Sequence, residues 1–351
     1  MKNEKLLYIH IPFCDSKCNY CAFNSYTNLN HLKKIYFEAL KKQWDFEKKD
    51  IDDIYTVFIG GGTPSTMSIS FYEKLFLLLS PYLSNTKEIT IECNPNISYE
   101  WLKEIKNLGV NRISFGVQSF NDEKLKFLNR NHSSKQAINS IQNAYKAGFK
   151  NINIDIIYAT AKDTKKLLKE DLKTAFSLPI THISAYSLTI EENTKWEGDF
   201  SKRKYNEDME IWFIEKIKEK FFQYEISNFG NPCLHNLGYW KGRDYTGIGA
   251  GAVGFNSKEK VFRYYTQTNV KNYIENPIKY SYEFLSKEDI KKEKVFLGLR
   301  SVVGFEENIL NKNEKEKVKI LIEEKKLYKQ KDRIFSYDFL LADALSVFIL
   351  D

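Results

Sequence analysis

NINIDIIY, residues 151–158, alternates in character: Ile152, Ile154 and Ile156 fall on one face, Asn153 and Asp155 on the other. A period of two marks a β-strand. Strands of a doubly wound sheet are covered by helices on both faces and read apolar throughout. Here only one face suits a helix, while the other offers an amide and a carboxylate. Two further stretches share the phase. In EITIEC (88–93), Ile89 and Ile91 oppose Thr90 and Glu92; in RISFGVQ (112–118), Ile113, Phe115 and Val117 oppose Ser114, Gly116 and Gln118. One apolar and one polar face fit a barrel-like sheet whose lumen holds a polar ligand.

Outward from these three, KLLYIHI (5–11), YTVFIGG (55–61) and THISAYSL (181–188) make six runs, each followed by helix-like sequence. Ser133–Gly148 is an example, with Ala137, Ile141, Ala144 and Tyr145 at helical spacing and Gly148 as the stop. Strands alternating with helices build parallel βα units. The expected fold is α/β: an incomplete (β/α)6 barrel of the TIM type, with a lateral gap that another element covers. Its polar residues sit late in their strands, at the rim where βα barrels gather binding groups, and Cys14 opens onto that rim. Residues 1–230 are read as the barrel, with a helix over about 203–222. Residues 231–289 are a Gly-rich connecting region. Residues 290–351 read as a small, mainly helical, winged-helix-like domain: a helix, a hairpin in LYKQKDRIFSY and a final helix.

The chain has 351 residues and a net charge of +7, with Lys interleaved among Glu and Asp. Stretches such as KNEKEKVK (312–319) read as solvated helix faces, so anionic small molecules suit this balance better than nucleic acid. No apolar run reaches the length of a membrane span, and the N-terminal MKNEKLLYIHIPF lacks a signal peptide's pattern. A cytoplasmic location is expected, with peripheral membrane association left open. Five cysteines in such a chain argue for thiols rather than disulfides. Three of the five fall in CDSKCNYC (14–21). Thiolates select zinc or iron–sulfur clusters. Structural zinc wants four ligands; His10 could complete such a set, whereas three thiolates alone suit a [4Fe–4S] cluster with one iron open.

CDSKCNYC resembles the CxxxCxxC motif of radical S-adenosylmethionine (SAM) proteins. The resemblance implies a [4Fe–4S] cluster on Cys14, Cys18 and Cys21, with SAM chelating the open iron and open to reductive cleavage. HIPFC, FIGGGTPS, IECNP, NRISFGVQSF, HISAYSL, YEISNF, HNLGYW and GLRSVVGF are similar to the branch containing oxygen-independent coproporphyrinogen III oxidase and the HemW heme chaperones. Phe23 stands where the oxidase has a further cysteine, the first strand comes early, and His235-Asn236-Leu237-Gly238-Tyr239 matches an HNxxY motif; all three lean toward the chaperones. The implied function is binding heme and passing it to an acceptor protein, soluble or membrane-bound, with an electron donor for the cluster. The alternative is the oxidase's radical decarboxylation; further off lies a zinc-stabilised nucleic-acid binder. A homodimer is left open.

By the same resemblance, Gly61, Gly62, Thr63, Glu92, Gln118, Arg130 and Asp155 contact SAM, and Tyr8 and Tyr20 neighbour it or simply pack. His235, Asn236 and Tyr239 are implied in heme binding, His235 as an axial ligand or as a loop-stabilising hydrogen bonder. Three departures stand out. YATAKD (158–163) replaces the family's YGLPGQ-like loop, Val253 replaces a frequent His, and the segment between YEISNF and HNLGYW is short.

Overall fold

The computed structural model describes residues 4–258 and 260–351; Met1 to Asn3, which begin the N-terminal stretch read above, and Glu259 lie outside the described residues. β1 (Glu4–Ile11), β2 (Asp53–Gly61), β3 (Glu88–Cys93), β4 (Arg112–Gln118), β5 (Asn151–Tyr158) and β6 (His182–Ser187) lie side by side in sequence order, all parallel. The crossovers carry α1 (Lys33–Glu47), α2 (Ile69–Leu79), α3 (Tyr99–Asn107), α4 (Asp122–Phe127), α5 (Ser134–Lys146) and α6 (Lys165–Phe176). This is the βα order expected, and its phase is the one the alternation implies. Ile113, Phe115, Val117, Ile152, Ile154 and Ile156 are buried in one cluster with Leu102 and Ile105 of α3 and Ala137, Ile141 and Ala144 of α5. Each large aliphatic side chain so buried contributes roughly 1.5–3 kcal/mol.

Local chemistry sets the helix bounds. Ser133 and Gln136 form a reciprocal capping box at the start of α5, and Gly148 at φ +99° leaves the helix in the left-handed region that glycine favours. The helix expected over 203–222 is shorter: α7 spans Glu207–Lys218. Asn206 caps it by accepting from Met209 N–H, and Arg203 before it is drawn into an antiparallel bridge with Thr160.

The sheet continues past both edges of the six-strand unit. β7 (Gln223–Glu225) and β8 (Asn228–Gly230) extend it antiparallel beyond β6. At the other edge β9 (Tyr245–Ile248) pairs parallel with β1, and β10 (Val253–Asn256), β11 (Phe262–Thr266) and β12 (Tyr280–Phe284) follow antiparallel. The result is one mixed twelve-stranded open sheet. Between β8 and β9 lies α8 (Leu234–Trp240), and α9 (Val270–Glu275) packs on α1.

The tail forms α10 (Lys287–Leu299), β13 (Phe305–Glu306), α11 (Lys312–Glu323), the hairpin β14 (Leu327–Gln330) and β15 (Arg333–Ser336), and α12 (Ala342–Leu350). It gathers its own core from Val295, Leu299, Val318, Leu321, Ile334 and Ile349. No helix among the described residues is long and apolar enough to cross a membrane.

Candidate active site

The loop after β1 is pinned from several sides. Cys14 N–H donates to Tyr26 O at 3.0 Å, and Tyr26 N–H to Pro12 O at 2.8 Å, so the loop leaves and returns at one point. Lys17 Nζ donates to Phe23 O and Ser25 O, closing it from within. Asn24 Nδ2 donates to Ala250 O and Thr268 O, both at 2.9 Å, and Asn129 Nδ2 to Lys17 O at 2.7 Å. Cys14, Cys18 and Cys21 are free thiols lining one cavity of about 500 Å³. Burial pushes the Cys14 and Cys21 thiols up. Thr63 Oγ1 donates to Cys14 Sγ at 3.3 Å and Arg130 Nη1 to Cys18 Sγ at 3.1 Å. A hydroxyl and a guanidinium aimed at sulfur suit thiolates, the form that binds metal, so the residues present fit a thiolate-held cluster.

The rim meets these thiols from four strands. Gly61 has φ +110°, and a Cβ there would sit 2.5 Å from the His10 ring; one on Gly60 would meet Glu92 Oε2 at 2.8 Å. Gly61 N–H donates to Glu92 Oε2 at 3.1 Å, Gly62 N–H to Ile11 O at 2.7 Å and Thr63 N–H to Phe13 O at 2.8 Å. The glycines thus fasten the end of β2 to β1 and to Glu92. Burial, then the Asp155 charge, raises Glu92 to about 7, opposed by that Gly61 N–H. Burial also raises Asp155, whose Oδ1 accepts from Asn153 Nδ2 at 2.8 Å. Gln118 ends β4 at φ +66°, where the β4–β5 register shifts, and its side chain lines the cavity. Arg130 Nη2 donates to Asn94 Oδ1 at 3.0 Å and Gly116 O at 2.7 Å, so its guanidinium is braced as well as charged.

Gly61, Gly62, Thr63, Glu92, Gln118, Arg130, Asp155 and Tyr20 therefore come together around one cavity. Tyr8 does not line it. His10 Nε2 donates to Asn24 O at 2.8 Å, which leaves Nδ1 to accept from Tyr8 Oη at 3.0 Å.

The HNxxY residues divide. α8 lies across the amino ends of the strands, opposite the cysteines. Glu88, first in β3, accepts from Leu234 N–H at 3.0 Å and His235 N–H at 3.1 Å, and Gly238 packs on Leu6 of β1. His235 is fully buried; Nδ1 lies 2.7 Å from Thr56 Oγ1 and Nε2 2.8 Å from Tyr239 Oη. Burial and the Arg112 charge lower its pKa to about 3, so the imidazole is neutral. Of the three, Asn236 lines the cavity.

The departing loop YATAKD is rebuilt by other means. Ala159 adopts φ +61°, the conformation the family's glycine would take without strain. Asp163 Oδ2 accepts from Thr160 N–H at 2.8 Å, and its other oxygen meets Lys124 Nζ at 2.7 Å, both side chains fully buried. Lys124 also donates to Ile157 O at 2.7 Å, while Asp171 holds Ser119 Oγ and Phe120 N–H at 2.7 Å. This buried cluster fastens the turn that follows Gln118. Arg112, Asn94 and Ser184 also line the cavity and were not singled out from sequence. Arg112 shares the polar phase of Ser114, Gly116 and Gln118, but a charged residue that opens a strand reads equally as its solvated end.

A model of the Radical SAM superfamily matches residues 8–175. The heme chaperone HemW of Lactococcus lactis is 35% identical over 94% of this chain and 93% of its own length. HemW of Bacillus subtilis is 36% identical, covering 86% and 84%, and that of Escherichia coli 36%, covering 71% and 69%. The structure of the radical SAM coproporphyrinogen III oxidase of Escherichia coli superposes with a TM-score of 0.84 over 99% of this chain and 90% of that one. At 20% identity that is a likeness of fold.

Proposed function

This chain belongs to the HemW family of radical SAM proteins, and from that membership we propose that it binds heme and hands it to an acceptor protein. Cys14, Cys18 and Cys21 hold a [4Fe–4S] cluster, and SAM lies on the rim between them and the strand ends. When bound, the cluster supplies a one-electron couple and an iron open to SAM's amino and carboxylate groups.

The chain's own residues do the rest. Glu92 takes up the cationic end of SAM, which favours its charged form. Asp155 accepts from ribose hydroxyls. Gln118, turned inward by its left-handed backbone, adds a neutral donor and acceptor. Arg130 neutralises charge at Cys18 and holds the rim in register. Heme contact at α8 runs through Asn236, with His235 and Tyr239 keeping its helix seated.

The observation that carries this reading is the convergence of three thiols and the polar ends of β2–β5 on one cavity. Anaerobic hemin titration of cluster-loaded protein, followed by mixing with an apo-hemoprotein, tests it. Saturable, stoichiometric absorbance changes and onward transfer of heme are expected; a linear, unsaturable response would overturn it.

A further inference from the structure

The lower part of the cavity holds a buried cation with a hydrogen bond left unmade. Arg112 begins β4, is 2% exposed and lines the cavity. Its Nε is buried without a hydrogen-bond partner. Arg130, the other arginine lining the cavity, also leaves its Nε unpartnered but spends Nη1 and Nη2 on Cys18, Asn94 and Gly116.

Beside Arg112 stand the Cys233 thiol and the Tyr224 phenol, both kept neutral by burial, and the carboxylates Glu88, Asp155 and Glu92. The carboxylates compensate its charge but leave that Nε unpaired. Glu88 directs its oxygens to the start of α8, where Cys233 Sγ and the Leu234 and His235 N–H groups donate to it. Asp155 Oδ1 is taken by Asn153, and Tyr224 Oη lies 2.8 Å from His182 Nε2. A guanidinium carries five N–H donors in a plane. Leaving the buried Nε–H unmade carries a desolvation cost that a ligand would remove.

We propose that Arg112 anchors a carboxylate of the molecule that occupies the lumen. A planar two-oxygen anion matches the guanidinium fork, and the neutral groups of Ser114, Asn153, Ser184 and Asn236 line the same cavity beside it. SAM's own carboxylate is poorly placed for this. In the reading above that carboxylate is committed to the cluster's open iron, whereas the Arg112 guanidinium also lies among Glu88, Cys233 and Tyr224, toward the start of its strand. The acid therefore belongs to a second molecule lying deeper. Resting on the heme reading above, that acid is a propionate of the tetrapyrrole.

The test uses cluster-loaded full-length protein, wild type, Arg112→Gln and Arg112→Lys, with the cluster absorbance as the check on folding. Hemin and hemin dimethyl ester are titrated in one detergent, and glutarate and glutaramide are compared by thermal shift. Wild type should prefer the diacid about tenfold or more, the scale of a charge-assisted pair. Glutarate but not glutaramide should raise its melting temperature. Both preferences should vanish in Arg112→Gln and return in part in Arg112→Lys.

Should hemin and its ester bind wild type equally and glutarate do nothing, the site falls while the heme reading stands. Should glutarate act through Arg112 while neither porphyrin binds, the heme reading falls and the site stands for another acid. No response to any of the four overturns both. If Arg112→Gln keeps the wild-type acid preference, or if its one loss is SAM affinity, the assignment is wrong.

Discussion

Glu92 is the residue whose electrostatics most directly touch ligand binding. With its pKa raised to about 7 by burial and Asp155, it is partly protonated at neutral pH. A cationic ligand beside it stabilises the carboxylate and lowers that value, so binding below pH 7 must expel a proton. SAM affinity should therefore fall as pH drops below about 7 and level off above it. Isothermal titration across pH 5.5–8.5 would read this dependence, and Glu92→Gln should flatten it while weakening binding about tenfold at pH 8. Ala159 tests backbone strain. At φ +61° an alanine bears roughly 1–2 kcal/mol that glycine avoids, partly offset by glycine's freer unfolded chain. Ala159→Gly should raise stability by about 0.5–1 kcal/mol in denaturant unfolding. The loss of the family glycine was visible in the sequence. Its rescue by Asp163 was not, because Lys124 lies 39 positions away and nothing local announces their pairing.

At the scale of elements, the strands could be read because the period of two is written into each one. The polar phase of Ser114, Asn153 and Asp155 reported the lumen before any geometry did. The helix α8 could not be read this way. HNLGYW carries a recognisable motif, but whether its histidine faces a ligand or a strand depends on Thr56 and Glu88, far off in the chain. Burial with both ring nitrogens engaged makes His235 a brace for Asn236. Replacing it strands Thr56 and Tyr239 and leaves a void. His235→Ala should thus cost about 2–4 kcal/mol of stability, while the folded fraction keeps its heme stoichiometry. A variant of unchanged melting temperature that loses heme alone would show the ring to be a ligand.

For the whole molecule, the six βα units make the rim and the later segments enclose it. Beyond residue 188 the even spacing of strands lapses, since β7 to β12 are short and mostly antiparallel. Their place in the same sheet follows from long-range pairing, such as Tyr8 with Gly247, that periodicity does not encode. Asn24, reaching Ala250 and Thr268, ties the cysteine loop to that extension, so the loop depends on the strands added beyond β1 as well as on the six βα units. The central claim is that the three thiols hold a cluster with one iron open to SAM. Anaerobic reconstitution, iron and sulfide analysis, and electron paramagnetic resonance of the reduced protein with and without SAM test it together. About four iron and four sulfide per chain, with a signal altered by SAM, is the result expected. Zinc without sulfide, or a cluster signal indifferent to SAM, would contradict it.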